Sequence, residues 1–167
     1  MVKINIIAAI DNNRAIGYQN KLLFHIDEDM KHFKQLTTGH TIVMGRRTFE
    51  SLPNGALPHR HNIVVSTTMK QRELAEGYSY HKQQGIEVFS SLTEALAACA
   101  NEDDIYIIGG EKIYQQAIAF AHRLYLTIID ASAPHADAWF PPFDGWLLKE
   151  DSPRQGYSFR VYERVKR

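Results

Sequence analysis

Residues 105–114 read IYIIGGEKIY: a short unbroken apolar run, two glycines, and then a charged stretch with helical character. Four consecutive apolar positions leave no polar face for solvent, which predicts a strand covered on both sides. Gly109 and Gly110 allow backbone angles, and a closeness of ligand to main chain, that side chains forbid. A strand feeding directly into a helix is the unit from which parallel sheets with covering helices are built.

The pattern extends in both directions. Further short runs rich in branched residues occupy 4–10 (INIIAAI), 41–45, 62–67, 87–91, 123–130 and 157–165, and helix-like segments lie at 27–37, about 46–52, 92–100 and 111–121. Ser91-Leu92-Thr93-Glu94 is a capping-box start for the third helix. No helical pattern separates 123–130 from 157–165, so these two strands are expected to pair antiparallel at one edge, making the sheet mixed. The connections 11–24, 53–61 and 131–156 are long for a compact domain, and loops of that kind are commonly working parts. In open α/β sheets ligands bind beyond the carboxyl ends of the strands.

The 167 residues suit one domain, 1–167, and 44% hydrophobic with 23% charged residues is ordinary for a globular chain. Lys plus Arg and Asp plus Glu both number 19. That balance offers no overall field for nucleic acid, so recognition must come from local clusters. The lone Cys99 suits a reducing compartment and a buried thiol. No apolar run reaches the roughly 18 residues of a membrane span, and the N-terminus lacks a signal-peptide pattern. A cytoplasmic protein without membrane or nucleic-acid partners is expected.

Placed at about 100° per residue, Ile26, Met30, Phe33 and Leu36 form one stripe that should face the core. Asp27 and Glu28 fall on the other side, where acids near a helix start are favoured. Asp29 falls inside the stripe. A carboxylate against an apolar wall has its pKa pushed upward and can meet a buried polar ligand or help deliver a proton. A first-turn acid that bonds free backbone N–H groups is the blander reading.

The second glycine-marked turn is VMGRRTFESL at 43–52, with Arg46, Arg47 and Thr48 directly after Gly45. A strand, a glycine, two guanidinium groups and a hydroxyl suit a phosphate. Two such turns in one small sheet point to a ligand with several phosphates, such as a dinucleotide. Neither turn fits the Rossmann or P-loop fingerprint. His59 and His61 flank Arg60 without a nearby third ligand and read as solvated rather than metal-binding, so no metal is expected. Tyr78 and Tyr80 read as cross-strand packing.

These landmarks, together with AIG at 15–17, LPHRHNIVVS at 57–66, LYLT at 124–127 and Asp137 followed by Trp139-Phe140-Pro141, resemble the bacterial chromosomal dihydrofolate reductases from end to end. The resemblance implies a single-domain three-layer α/β sandwich. Its sheet would be mixed, mostly parallel and eight-stranded, with an antiparallel C-terminal edge strand and about four helices. It implies reduction of 7,8-dihydrofolate by NADPH in a protein open to antifolate inhibitors, and the lack of an obvious partner-binding stripe makes a monomer the expectation.

By that resemblance Asp29 holds the pterin and promotes protonation of N5, Thr127 supports Asp29, and Leu22 and Phe24 belong to the same catalytic surroundings. Ile7, Met30, Phe33, Leu52, Leu57 and Ile108 line the substrate pocket, and Arg60 pairs with the α-carboxylate of the glutamyl tail. Ala9, Ile16, Gly17 and Asn20 surround the nicotinamide and its ribose, with Tyr114 flanking the ring. Gly45, Arg46, Arg47, Thr48, Ser66, Thr67, Glu111, Lys112 and Ile113 surround the remaining cofactor, and Gly109–Gly110 matches a cis bond. Asp137 latches the 11–24 loop. The chain departs from the family in having Leu23-Phe24 for the usual Pro-Trp, which removes an indole N–H, and Ala136 for a common glycine. Two alternatives are a related pteridine or pyrimidine reductase, against which Asp29 with Arg60 speaks, and a non-catalytic dinucleotide sensor, against which the presence of Asp29 and of the 11–24 loop speaks.

Overall fold

The computed structural model describes residues 1–68 and 86–165, so the run holding Tyr78 and Tyr80 lies outside the described residues. Strands β1 (Lys3–Ile10), β4 (Thr41–Gly45), β5 (His61–Val65), β6 (Ile86–Phe89), β7 (Asp104–Gly109), β8 (Arg123–Ile129), β10 (Leu147–Pro153) and β11 (Tyr157–Glu163) form one sheet. Its order is β10-β11-β8-β1-β7-β4-β5-β6. Three short strands, β2 (Ala15–Tyr18), β3 (Lys21–Leu22) and β9 (Ala138–Trp139), make a separate ribbon. Among the described residues there are four helices: α1 (Asp27–Thr37), α2 (Arg46–Ser51), α3 (Leu92–Ala98) and α4 (Glu111–Ala117).

The continuous apolar runs are explained by two cores, one on each face of the sheet. Ile6, Val43, Ile63, Ile105, Ile107, Leu124 and Leu126 face a cluster shared with Leu92 and Ala95 of α3 and Ile113 and Ala117 of α4. Their neighbours Ile7, Ile42, Met44, Val64 and Tyr106 face the opposite cluster, against Phe33 and Leu36 of α1 and Phe49 of α2. Successive side chains of a strand point to opposite faces, so a sheet buried twice needs apolar residues at every position. The layers are therefore helix, sheet, helix.

Parallel pairing joins β8, β1, β7, β4, β5 and β6. The chain leaves β1 towards β4 by way of α1, and leaves β7 towards β8 by way of α4. These crossovers run in opposite directions, which places a topological switch between β1 and β7, the usual position of a ligand crevice. The carboxyl ends meeting there carry Ala9, Gly45, Gly109 and Thr127.

The expected antiparallel pairing of 123–130 with 157–165 is present as β8 with β11, but it does not form the edge. The edge is β10, inside the long 131–156 connection. All seven of its residues are exposed, so no hydrophobic alternation marked it. The ribbon strands were missed for a related reason: each spans four residues or fewer. Helices α3 and α4 end earlier than their periodicity suggested, at Ala98 and Ala117.

Cys99 is buried at the end of α3, and burial, followed by a hydrogen bond with Glu102, pushes its thiol up to about 12. The thiolate is the reactive species. A chromogenic disulfide reagent at pH 8 should therefore label the native protein far more slowly than a free thiol, with labelling in urea tracking unfolding. Rapid native labelling would contradict this burial.

Candidate active site

Asp29 sits in the first turn of α1, over the carboxyl end of β8. Its carboxylate accepts a 2.5 Å hydrogen bond from the hydroxyl of Thr127, which is itself buried. Burial raises the pKa of Asp29 from 3.8, against the opposing pull of the Thr127 bond and of His32. The acid thus has one fixed donor and a raised affinity for a proton. The charge of Asp29 also reaches Tyr114, whose pKa is raised chiefly by its burial.

Ile7, Phe33, Leu52, Leu57 and Ile108 come together in the apolar cluster on the α1 face. Met30 does not join them. It is 46% exposed, so the stripe read from the helical wheel is wrong at this position. The reason is that α1 rests on the sheet from Phe33 onward while its first turn overhangs the strand ends. Leu22 is 70% exposed on β3 and stays outside the cluster, whereas Phe24 is half-buried.

Arg60 marks the other end of α1. Its Nη1 donates to Thr37 Oγ1 at 3.0 Å and its Nε to the Pro58 carbonyl at 2.9 Å. Asp29 and Thr37 are eight residues apart on one helix, about 12 Å at 1.5 Å per residue. A half-buried acid and an anchored guanidinium therefore bracket the apolar cluster on the α1 face. Of the neighbouring histidines, His59 is exposed as expected, whereas His61 is paired with Glu87 at 2.7 Å. No group of three metal-ligating side chains occurs among the described residues.

On the other side of the switch point the Gly109–Gly110 peptide is cis, and Gly109 has φ 125°. A Cβ at Gly109 would lie 3.2 Å from Tyr114 Oη and 3.4 Å from Thr48 Oγ1, and one at Gly110 would lie 3.3 Å from the same Thr48 oxygen. These glycines leave a cradle that side chains would fill. Gly45 is close to Ile113 in the same way, 3.2 Å from a built Cβ to Cγ1. No side chain caps α2 or α4. Arg47 and Lys112 are exposed, and neither side chain has an ion-pair or hydrogen-bond partner among the described residues. Ser66 follows β5, half-buried, and Thr67 is exposed. Open glycine turns flanked by unspent cations fit a phosphate-bearing dinucleotide. Two expected members are turned elsewhere: Arg46 pairs with Glu50 at 3.1 Å, and the Glu111 carboxylate accepts the Trp139 N–H at 2.7 Å. The Tyr114 hydroxyl donates to the Ile7 carbonyl at 2.8 Å.

The β2–β3 hairpin, carrying Ile16, Gly17 and Asn20, lies across the strand ends. Asp137 joins it twice, accepting the Gln19 N–H and donating its own N–H to the Gly17 carbonyl, each at 3.0 Å. Asn20 donates to the Arg47 carbonyl at 3.0 Å, which ties the hairpin tip to α2. Behind Asp29 lies a group that the sequence did not reveal: Glu28, His32, Arg154, Tyr157 and Phe159. Members 126 and 129 residues apart hydrogen-bond there, and no local spacing signals such contacts.

Fold and site together define an α/β protein whose strand ends at the switch point carry a half-buried acid on one side and glycine turns on the other. Residues 3–164 match the family described as dihydrofolate reductase. The chain is 41% identical over 173 residues to a dihydrofolate reductase of Buchnera aphidicola subsp. Acyrthosiphon pisum, covering 98% of this chain and 100% of that one. It is 38% identical over 170 residues to that of Bacillus subtilis, covering 96% and 94%. The Neisseria gonorrhoeae protein of the same description is 42% identical over 157 residues, covering 93% and 90%. The chain belongs to the dihydrofolate reductase family.

Proposed function

We propose that the protein reduces 7,8-dihydrofolate to 5,6,7,8-tetrahydrofolate, with NADPH as the hydride donor to C6 and Asp29 assisting protonation of N5. The observation that carries the reading is the Asp29 carboxylate, held by Thr127 and biased towards its protonated form beside an apolar groove. A carboxyl group so placed can accept from the pterin N3–H and amino group when ionised and raise proton availability at N5 when protonated. Thr127 holds one oxygen still. Ile7, Phe33, Leu52, Leu57 and Ile108 exclude water along the groove, Met30 and Phe24 border it, and Arg60 receives the glutamyl carboxylate. Leu22 closes on the site from the hairpin.

NADPH supplies the hydride when bound. Arg47, Lys112, Thr48, Ser66 and Thr67 would hold its phosphates, with Arg46 joining on release from Glu50. Gly45, Gly109 and Gly110 would admit its backbone, Glu111 and Ile113 would shape that turn, and Ala9, Ile16, Gly17, Asn20 and Tyr114 would surround the nicotinamide end. Asp137 holds the covering hairpin in place, and its closure strengthens electrostatics by removing water. No described helix is long and apolar enough to cross a membrane. A monomer working in the cytoplasm completes the proposal.

The direct test is loss of NADPH absorbance on addition of dihydrofolate; cofactor binding without turnover would defeat the proposal. Arg60→Met tests the substrate end. Losing a hydrogen-bonded ion pair worth about 1.5–3 kcal/mol should raise KM for dihydrofolate by about 10–100-fold with little change in kcat. A pterin substrate without the glutamyl tail should not distinguish the two proteins. Equal KM values for dihydrofolate would remove Arg60 from tail recognition.

A further inference from the structure

We propose that Glu28, gripped by Arg154 and Tyr157 from the C-terminal hairpin, is a positioning residue that holds Asp29 in its half-buried setting. The proposal rests on the reading of Asp29 as the proton-handling group and adds to that reading the means of holding it.

The first turn of α1 needs such a device. It has no side-chain cap, and it overhangs the strand ends with Met30 exposed. The apolar anchorage of the helix starts only at Phe33, four residues beyond Asp29. What reaches the first turn is the β10–β11 hairpin. Arg154 Nε lies 3.0 and 3.1 Å from the two Glu28 carboxylate oxygens, and the Tyr157 hydroxyl donates to one of them at 2.7 Å. The turn supplying both groups is closed by the Arg154 N–H on the Tyr157 carbonyl at 2.7 Å. An isolated exposed ion pair does little, but a carboxylate held by both a guanidinium and a phenol has a defined geometry.

The contacts continue to the acid. The Arg154 guanidinium lies 5.3 Å from the Phe159 ring centroid, and the His32 ring stacks on that same Phe159 ring at 4.3 Å. Phe159 stands opposite Thr127 in the β8–β11 register. Thr127 donates to Asp29, whose chain neighbour is Glu28. The circuit therefore closes: Glu28, Arg154, Phe159, Thr127, Asp29. Opening it at Glu28 frees the helix turn on which Asp29 rides.

The charged and titratable groups around Asp29 are Glu28 and His32 on α1, the fixed cation of Arg154 and the phenol of Tyr157 on the hairpin, and Tyr114 on α4. Burial is the largest influence raising the proton affinity of Asp29. A freer first turn admits water, and the acid then moves back towards an ordinary carboxylate. Tyr157→Phe removes one side of the grip without altering charge. The expected result is a shift of the kcat inflection to lower pH by about half a unit, equivalent to about threefold lower kcat above it. Glu28→Ala should shift it at least as far, while Glu28→Gln, which still accepts from both partners, should stay near the parent.

The titration of the Asp29 side-chain carbon, followed by NMR, should move with the kinetic inflection; NADPH affinity and the unfolding temperature report that the fold persists. An unmoved profile in Tyr157→Phe would overturn the proposal. So would equal shifts in Glu28→Ala and Glu28→Gln, since charge alone would then explain them. The Asp29 carbon titration reads the clamp whether or not Asp29 handles the proton, and the reading of Asp29 fails separately if Asp29→Asn retains turnover.

Discussion

Asp29→Asn should lower kcat for dihydrofolate reduction by about 10²–10⁴-fold, the usual worth of a positioned acid or base, while leaving NADPH affinity within about twofold. Asparagine keeps the shape of the side chain and an oxygen able to accept the Thr127 hydroxyl, so packing and the neighbouring bond survive. What disappears is the exchangeable proton. The parent enzyme should therefore lose rate as pH rises above the Asp29 inflection, and the variant should show no such inflection. Turnover within tenfold of the parent would remove Asp29 from the chemistry.

The same substitution should stabilise the fold. Burial places the native pKa of Asp29 above its ordinary 3.8. Between 3.8 and that higher native value the folded chain binds more protons than the unfolded one, so stability falls as pH rises through the window and the deficit persists at neutral pH. Asparagine has no charge to desolvate. The variant should unfold at a higher temperature than the parent at pH 7, and the difference should shrink below pH 3.8. A lower unfolding temperature at pH 7 would mean that the ionised carboxylate is well satisfied in the native state.

Where sequence was informative, the signal was burial. Apart from Asn5, whose amide is bonded to Asp104 and to the Ile105 carbonyl, INIIAAI and IYII are apolar because both faces of their strands are covered, and that demand is written into consecutive residues. Asp29 stood out because a carboxylate is costly at an apolar position. Where burial was weak, nothing was written. The seven exposed residues of β10 are held by backbone pairing to β11, and backbone groups are the same in every residue. Met30 shows the converse failure: its hydrophobicity was real, but the first turn of α1 overhangs the strand ends, which no helical wheel represents. The clamp on Glu28 joins segments more than 120 residues apart in the chain, so its logic exists only after folding.

Gly109→Ala should be the most damaging single-methyl substitution at the cofactor side, because it meets two separate obstacles. The first is conformational. Gly109 has φ 125°, outside the range that residues with a Cβ readily occupy, and holding one there costs about 1–3 kcal/mol. The second is space. The added methyl would lie 3.2 Å from Tyr114 Oη. That hydroxyl is fully committed to the Ile7 carbonyl at 2.8 Å, so retreat breaks a buried hydrogen bond. For a domain of this size each kcal/mol lowers the unfolding temperature by about 2–4 °C, which predicts a fall of about 3–10 °C. NADPH affinity should drop at least tenfold, since the turn can relieve the clash only by shifting the walls of the cradle.

Gly110→Ala provides the control. Its φ is −93°, and its Cβ would meet only the Thr48 hydroxyl, at 3.3 Å. A hydroxyl on a rotatable side chain can turn aside, so stability should fall by less than about 1 kcal/mol. Cofactor affinity should still weaken, because the methyl enters the same cradle. If both variants melt with the parent and bind NADPH equally well, the glycine pair has no role beyond the turn, and the cofactor must be held elsewhere. If Gly109→Ala alone loses stability while both lose cofactor, backbone conformation and open space are separate requirements, met at adjacent residues.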